Sequence, residues 1–393
     1  MAWALLKHLK DAGLKSPEHM KRNALRHRRK VRYAVVGLGH IAQVAVLPAF
    51  AHARANSQVT ALVSDDPKKL ETLGRRYRVD HLFSYKEYGN CLRSGAVDAV
   101  YIALPNHLHA DYSIAAAQAG IHILCEKPMA VTEKECWAMI QAAELSGVKL
   151  MIAYRLHFEE ANMTAAKLVR SGNLGDPRFF TSSFSMQVRP DNIRTDKEKG
   201  GGTLYDIGIY CINAARYLFC AEPSEVVAFS SANQKDERFK EIDEMTSALL
   251  RFPGGRLAEF TSSFGAADVA SYRVVGTKGD VRLDQAYEYV YPIELRLTVK
   301  GKIRKQTFHK RDQFAPELEY FSDCILKDRI PEPSGMEGVA DVRIIEAIYH
   351  SAKRHRVVKI KPLRQPQRPS IKQTKKRPAV EKPALVHAES AAL

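Results

Sequence analysis

The sequence predicts two successive architectures: a doubly wound parallel α/β domain, then an α+β domain built on an open antiparallel sheet. Three observations predict this. Short all-apolar strands alternate with helical runs in the first part, the pattern of a parallel sheet covered on both faces. A glycine-rich turn follows the first of those strands. After about residue 175 the apolar period changes to two, with Gly/Pro turns such as Pro253-Gly254-Gly255, the pattern of an antiparallel sheet with one open face. With 393 residues, two domains are expected. The chain is 45% apolar and 26% charged, which excludes a fibrous or mostly disordered protein. No apolar run reaches the ~18 residues of a membrane span. Six scattered cysteines without a C-x-x-C pair read as reduced thiols of a cytoplasmic protein.

Parallel strands are expected at Val31–Val36, Gln58–Val63, Ala99–Leu104, Ile121–Cys125 and Lys149–Tyr154. Helices are expected at Lys68–Arg76, Ala110–Ala119 and Glu133–Ser146. The alternating segments are Phe179–Val188, Ser224–Ser231, Thr246–Phe252, Gly255–Ser262, Tyr272–Gly276 and Glu294–Val299, and a periodic helix covers Gly338–Lys353. The expected divisions are a basic extension (1–30) with a short helix, a nucleotide-binding domain (31–154), a substrate and oligomerisation domain (155–360) and a disordered basic tail (361–393). The tail is assigned to disorder because it is rich in Pro, Lys and Gln and poor in aromatics.

The net charge of +16 belongs mostly to the ends. Residues 1–30 carry +7 and residues 361–393 carry +6, which leaves +3 for the 330 residues between. A nucleic-acid-binding face on the fold is therefore not expected, although basic ends suit acidic partners.

Gly37-Leu38-Gly39-His40-Ile41-Ala42 is G-x-G-x-x-A directly after a strand and before a helical run. The first glycine permits a tight turn, the second lets backbone approach a diphosphate, and the small third residue lets helix and strand pack closely. The helix N-terminus then faces the phosphates. This is the Rossmann-type dinucleotide fingerprint in its proper context. At the end of the second strand, Ser64 falls where an NAD-selecting carboxylate is expected, and Lys68 or Lys69 suits a 2′-phosphate. NADP is favoured; the adjacent Asp65 keeps NAD open.

Three further motifs follow in order: Pro105-Asn106-His107-Leu108-His109, Cys125-Glu126-Lys127-Pro128, and Gly200-Gly201-Gly202-Thr203-Leu204-Tyr205-Asp206-Ile207-Gly208-Ile209-Tyr210. With the glycine turn they make the chain resemble the Gfo/Idh/MocA oxidoreductase family from about Val31 to Ile360. Many members carry His where this chain has Tyr210. That variant, with Ser64 and Tyr154-Arg155, is similar to the subgroup of glucose–fructose oxidoreductases and NADP-dependent pentose dehydrogenases. The resemblance implies substrate between the domains, beside the nicotinamide. It also implies that Leu104, Pro105, Asn106, His109 and Arg155 line the cofactor cleft.

The roles follow from the chemistry of alcohol oxidation. A nicotinamide supplies the hydride acceptor. Lys127 at a strand end is a cation for the developing alkoxide. Tyr210 beside it serves as general acid/base, or is simply a core aromatic. Asp206, four residues earlier on a helix, faces the same way and hydrogen-bonds substrate or holds Lys127 and Tyr210 in place, or caps the helix. Glu126 binds the nicotinamide side or orients Lys127. His107, His109 and His122 lack the spacing of a metal shell, so no metal is expected. The function expected is an NADP-dependent oxidoreductase acting on a sugar or cyclic polyol, with a non-catalytic nucleotide-binding scaffold as the alternative. An open sheet with an apolar face suggests a homodimer or homotetramer.

Overall fold

A computed structural model describes residues 30–363 and 367–392. The basic extension and its expected helix lie outside the described residues. Six strands form a wholly parallel sheet: β1 (Val31–Val36), β2 (Ser57–Val63), β3 (His81–Phe83), β4 (Ala99–Ile102), β5 (His122–Glu126) and β6 (Leu150–Ala153). Their order is β3-β2-β1-β4-β5-β6. The chain therefore winds outward in both directions from β1 and β4, which opens a crevice at their carboxyl ends. β1, β4, β5 and β6 are almost entirely buried because helices cover both faces, while the edge strand β3 is exposed. The helices start where the sequence supplies caps. Asp66 accepts from the Lys68 and Lys69 amides at 2.9 and 3.1 Å, with Pro67 in the first turn of α2 (Pro67–Tyr77). Thr132 and Glu135 form a capping box at α5 (Glu133–Leu145). Between them lie α3 (Tyr88–Arg93) and α4 (His109–Gln118), while the first helix is a π-helical turn, Ala42–Val46, running into α1 (Leu47–Ala49).

The second sheet holds β7 (Pro177–Ser185), β8 (Glu225–Ser231), β9 (Met245–Phe252), β10 (Arg256–Ser263), β11 (Val269–Gly276), β12 (Gly279–Asp284), β13 (Ile293–Val299), β14 (Lys302–Phe308) and β15 (Val358–Lys359). The order is β14-β13-β12-β11-β7-β10-β9-β8-β15. The sheet is mixed rather than purely antiparallel: β10 runs parallel to β7, pairing Phe260 with Ser182. Period-two alternation reports which face is buried and is blind to strand direction, so this pair could not be read from it. β14 was missed because six of its seven residues are exposed, a polar edge strand with no apolar rhythm. Along β9, Thr246, Ala248, Leu250 and Phe252 point inward, and Ser247, Leu249 and Arg251 face out. The inner face is covered by α6 (Glu160–Arg170), α7 (Ile209–Phe219) and α9 (Gly335–Arg354). Arg216, fully buried on α7, bonds Glu222 and, on α9, Glu337 and Asp341, so the two helices are locked together.

Two segments depart from the linear division expected. Helix α8 (Phe314–Leu326) follows β14 of the second sheet in sequence but packs on the first, through Phe314, Ala315, Leu318 and Phe321. Its Ser322 hydroxyl lies 2.8 Å from that of Tyr33 on β1. The tail is also not disordered where it is described. Arg368 bonds Glu222, Gln373 bonds Glu332, and Lys375 and Arg377 both reach the buried Glu319. Composition counts only the apolar surface a segment brings. Here basic side chains meet acidic groups already placed on the folded body, so order comes from ion pairs and backbone bonds.

The carboxylate of Glu317 on α8 is fully buried, and neither oxygen has a hydrogen-bond partner among the described residues. Burial, and then the nearby Glu126, push it well above the ordinary range. Because its folded value exceeds the unfolded one, stability falls as pH rises above the ordinary glutamate range. Glu317→Gln should therefore raise Tm at pH 8, by about 2–4 °C per kcal/mol recovered, and leave it unchanged near pH 4. Thermal denaturation at the two pH values checks this.

Candidate active site

The glycine turn closes β1. Gly37 has φ +90°, and a Cβ there would stand 2.5 Å from the Ala103 carbonyl oxygen, so no other residue fits. At Gly39 a Cβ would meet nothing within 4 Å. The turn is thus packed on its inner side and open on its outer side, where backbone is free to approach a diphosphate. His40 and Ile41 lead into the helix, and Ala42 is fully buried at its start. Burial, then the Arg194 and Lys382 cations, push the His40 imidazole below its ordinary value.

At the end of β2, Ser64 is buried and its hydroxyl accepts from the Asp66 amide at 3.2 Å. Asp65 accepts from the Tyr85 amide at 2.7 Å, and Asp66 caps α2. Both carboxylates are thereby engaged by backbone. Lys68 pairs with Glu71 at 3.9 Å, whereas the Lys69 side chain has no ion pair among the described residues.

Leu104 and Pro105 follow β4, and Asn106 donates to the Gly200 carbonyl at 2.8 Å, tying this loop to the glycine-rich loop of the second domain. Gly201 is needed there because a Cβ would lie 2.4 Å from the Arg194 carbonyl oxygen. His109 does not line the cleft as expected. It is wholly buried, with its ring nitrogens 2.8 Å from the Pro128 carbonyl and 2.9 Å from that of Leu104. It ties the loops after β4 and β5 together from behind. Glu126 also turns inward: it accepts from the Tyr101 hydroxyl at 2.8 Å and from the Lys127 amide at 3.3 Å, so it holds the Lys127 backbone.

Lys127 is the centre of the arrangement. Its Nζ donates to the Asp206 carbonyl at 2.7 Å and to Asp206 Oδ1 at 3.1 Å, and it lies 4.9 Å from the centroid of the Tyr210 ring. Asp206 sits in a π-helical turn, Leu204–Gly208, that precedes α7. That turn presents both the carbonyl and the carboxylate of one residue to one ammonium. Asp206 is not a helix cap; its other oxygen accepts from Arg194 Nε at 2.6 Å. Burial alone would raise Asp206, but Arg194 and Lys127 outweigh it and hold the carboxyl far below its usual range. Burial alone would lower Lys127, but Asp206, then Tyr210 and Glu126, outweigh it and raise the ammonium above its ordinary value. Lys127 is therefore a permanent cation at neutral pH, not a base. Tyr210 is half-buried against Phe184 and Tyr287, and the Arg155 guanidinium lies 5.1 Å from its ring centroid. Arg155 is itself buried and donates to Gln313 and to the Tyr287 carbonyl.

Sequence reasoning missed Arg194. It lies between β7 and the Leu204–Gly208 turn, and nothing in its spacing announced an ion pair with Asp206. Among the described residues no group of His, Cys, Asp and Glu is placed to hold a metal ion, and no helix is long and apolar enough to cross a membrane.

A doubly wound sheet with an open glycine turn, a buried lysine–aspartate pair at the crevice and a second, mixed sheet behind it define a two-domain oxidoreductase. Residues 31–154 match the model of an oxidoreductase family with an NAD-binding Rossmann fold, and residues 162–282 match the GFO/IDH/MocA C-terminal domain. The chain belongs to the Gfo/Idh/MocA oxidoreductase family. It is 34% identical to D-xylose 1-dehydrogenase [NADP(+)] of Haloarcula marismortui, covering 84% of this chain and 93% of that protein. It is 29% identical to dTDP-3,4-didehydro-2,6-dideoxy-alpha-D-glucose 3-reductase of Saccharopolyspora spinosa, covering 82% and 97%. The crystal structure of aldose-aldose oxidoreductase from Caulobacter crescentus complexed with glycerol is similar with a TM-score of 0.81 and 40% identity, covering 84% of this chain and all of that one.

The two glycines of the turn make a paired test. Gly37→Ala should destabilise the fold by about 2–4 kcal/mol through a steric clash and a disfavoured φ. Gly39→Ala should leave stability within about 0.5 kcal/mol and act only on dinucleotide binding. Denaturant melts and a binding titration separate the two effects.

Proposed function

We propose that the protein transfers a hydride between NADP and a secondary alcohol, or the matching carbonyl, of a sugar or cyclic polyol. The observation that carries this reading is the Lys127 ammonium, largely buried yet kept charged by Asp206 and 4.9 Å from the Tyr210 ring. When bound, the nicotinamide supplies the hydride acceptor or donor. The residues of the chain do the rest. The open backbone at Gly39, with His40, Ile41 and Ala42 beginning the helix, receives the diphosphate. Ser64 and Lys69 receive the 2′-phosphate, and the capture of Asp65 by the Tyr85 amide removes the carboxylate that would favour NAD. Lys127 stabilises charge on the substrate oxygen in a site with little water, where a fixed cation acts most strongly. Tyr210 takes the alcohol proton, or returns it, with Lys127 and Arg155 facing its ring. Asp206, Glu126 and His109 position these groups. The names of the relatives support the substrate class: one acts on D-xylose with NADP, and another is an aldose oxidoreductase. We place the protein in the cytoplasm and read the open sheet face, with Phe229 and Leu249 exposed, as a self-association surface.

Titration of intrinsic fluorescence should show tighter binding of NADPH than of NADH. The reverse order would return the adenosine ribose to Asp65, and binding of neither would defeat the enzyme reading. Lys127→Ala should lower kcat by roughly 10²–10⁴ while NADPH binding changes little. Tyr210→Phe should remove a limb of the pH–rate profile; an unchanged profile would take Tyr210 out of proton transfer.

A further inference from the structure

We propose that the C-terminal segment 382–392 is part of the dinucleotide site, a clasp that must open before the cofactor leaves. The inference rests on the NADP reading above. It starts from Gln43, a fully buried amide one residue past the glycine motif. Its Nε2 donates at 2.9 Å to the carbonyl of Leu38, inside the glycine turn, and at 2.9 Å to the carbonyl of Val386. Its Oε1 accepts from the Val386 amide at 2.8 Å. One side chain therefore bonds both the phosphate turn and the tail, in both directions for the tail. The Val386 side chain packs against the apolar cluster that holds Leu38 and Ala42.

The neighbouring residues extend the attachment along the nucleotide edge. His387 Nδ1 lies 2.9 Å from Asp66 Oδ2, just past the end of β2. Arg76, in the last turn of α2, donates to the Ala384 carbonyl at 2.8 Å. Lys382 lies close enough to His40 to act on its charge. The segment then leaves the first domain and fastens to the second. Arg189 donates from its backbone to the Ala391 carbonyl and from Nε to the Ala392 carbonyl, both at 2.9 Å. Its Nη1 pairs with Glu389 at 3.3 Å, and Val188 bridges Ala392.

Two anchors on opposite sides of the crevice are thus joined by residues 388–390. The four peptide steps from His387 to Ala391 span at most about 14 Å. While both ends are fastened, the domains cannot part further than that at this edge, and the segment stays beside the place where this class of fold holds a dinucleotide. Apart from the buried Gln43 amide, the fastening is made of side-chain and backbone bonds near the surface with a single apolar anchor. Elements held in this way open locally without global unfolding. The segment is therefore suited to governing cofactor release while leaving the fold intact.

The test is the dissociation rate of NADPH, followed by stopped-flow fluorescence with excess unlabelled NADP as the chase. It compares the full chain, a chain ending at Glu381, and full-length Arg189→Ala, which loosens only the far anchor. Nucleotide retained through gel filtration gives a second readout without turnover. Release should be at least about tenfold faster from the shortened chain and intermediate for Arg189→Ala. Equal rates in all three would overturn the clasp and leave the NADP reading standing. Slower release from the shortened chain would show that the segment obstructs the site, which also overturns it. Failure of every form to bind NADPH would defeat the NADP reading, and the clasp with it. Should the shortened chain not fold, Arg189→Ala decides alone.

Discussion

Keeping an ammonium charged inside a protein is the constraint around which this molecule is arranged. An isolated buried lysine sheds its proton, because desolvation disfavours the charged form. Lys127 keeps it chiefly because Asp206 offers two oxygens within 3.1 Å. Asp206 in turn stays ionised because Arg194 takes its other oxygen. The three residues come from both domains: Lys127 from the end of β5, Arg194 and Asp206 from the segment after β7. The buried ammonium thus has its compensating partners only when the domains are docked. The buried Arg216 cluster serves the same end at one remove, since it fixes α7, which carries Tyr210, against α9.

What was legible in the sequence is what local chemistry demands of a residue type. Gly37 and Ala42 could be read because a tight turn and a close helix–strand contact admit almost nothing else. Lys127 and Asp206 could be read because two ordered motifs surround them. Arg194, His109 and Glu126 fared differently, and for one reason. Their roles depend on what lies opposite in space: a carboxylate twelve residues on, two carbonyls behind a loop, a tyrosine hydroxyl on β4. A histidine before a helix looks the same whether it faces a cleft or two buried oxygens. The parallel pairing of β7 with β10 escaped for a similar reason, since strand direction leaves no mark on apolar rhythm.

The basic tail illustrates how composition misleads when a segment is weighed alone. Residues 361–393 hold little apolar surface and an excess of positive charge, which in isolation argues for a solvated chain. The folded body, however, presents Glu319, Glu222, Glu332 and Asp66 along one path, and the tail follows it. Among the tail's described residues, Arg368, Lys375, Lys376 and Arg377 spend their charge on acidic groups of the same molecule.

The return of α8 to the first sheet bears on how the protein is made. Tyr33, Leu62 and Tyr101, fully buried in that sheet, belong to the cluster that α8 completes. On a ribosome, β6 ends at Ala153, yet α8 is not finished until Leu326. At about 5–20 residues per second, this apolar face waits roughly ten to thirty-five seconds for its cover. The nucleotide-binding half cannot complete itself as it emerges, and during that interval it offers chaperones a large sticky surface.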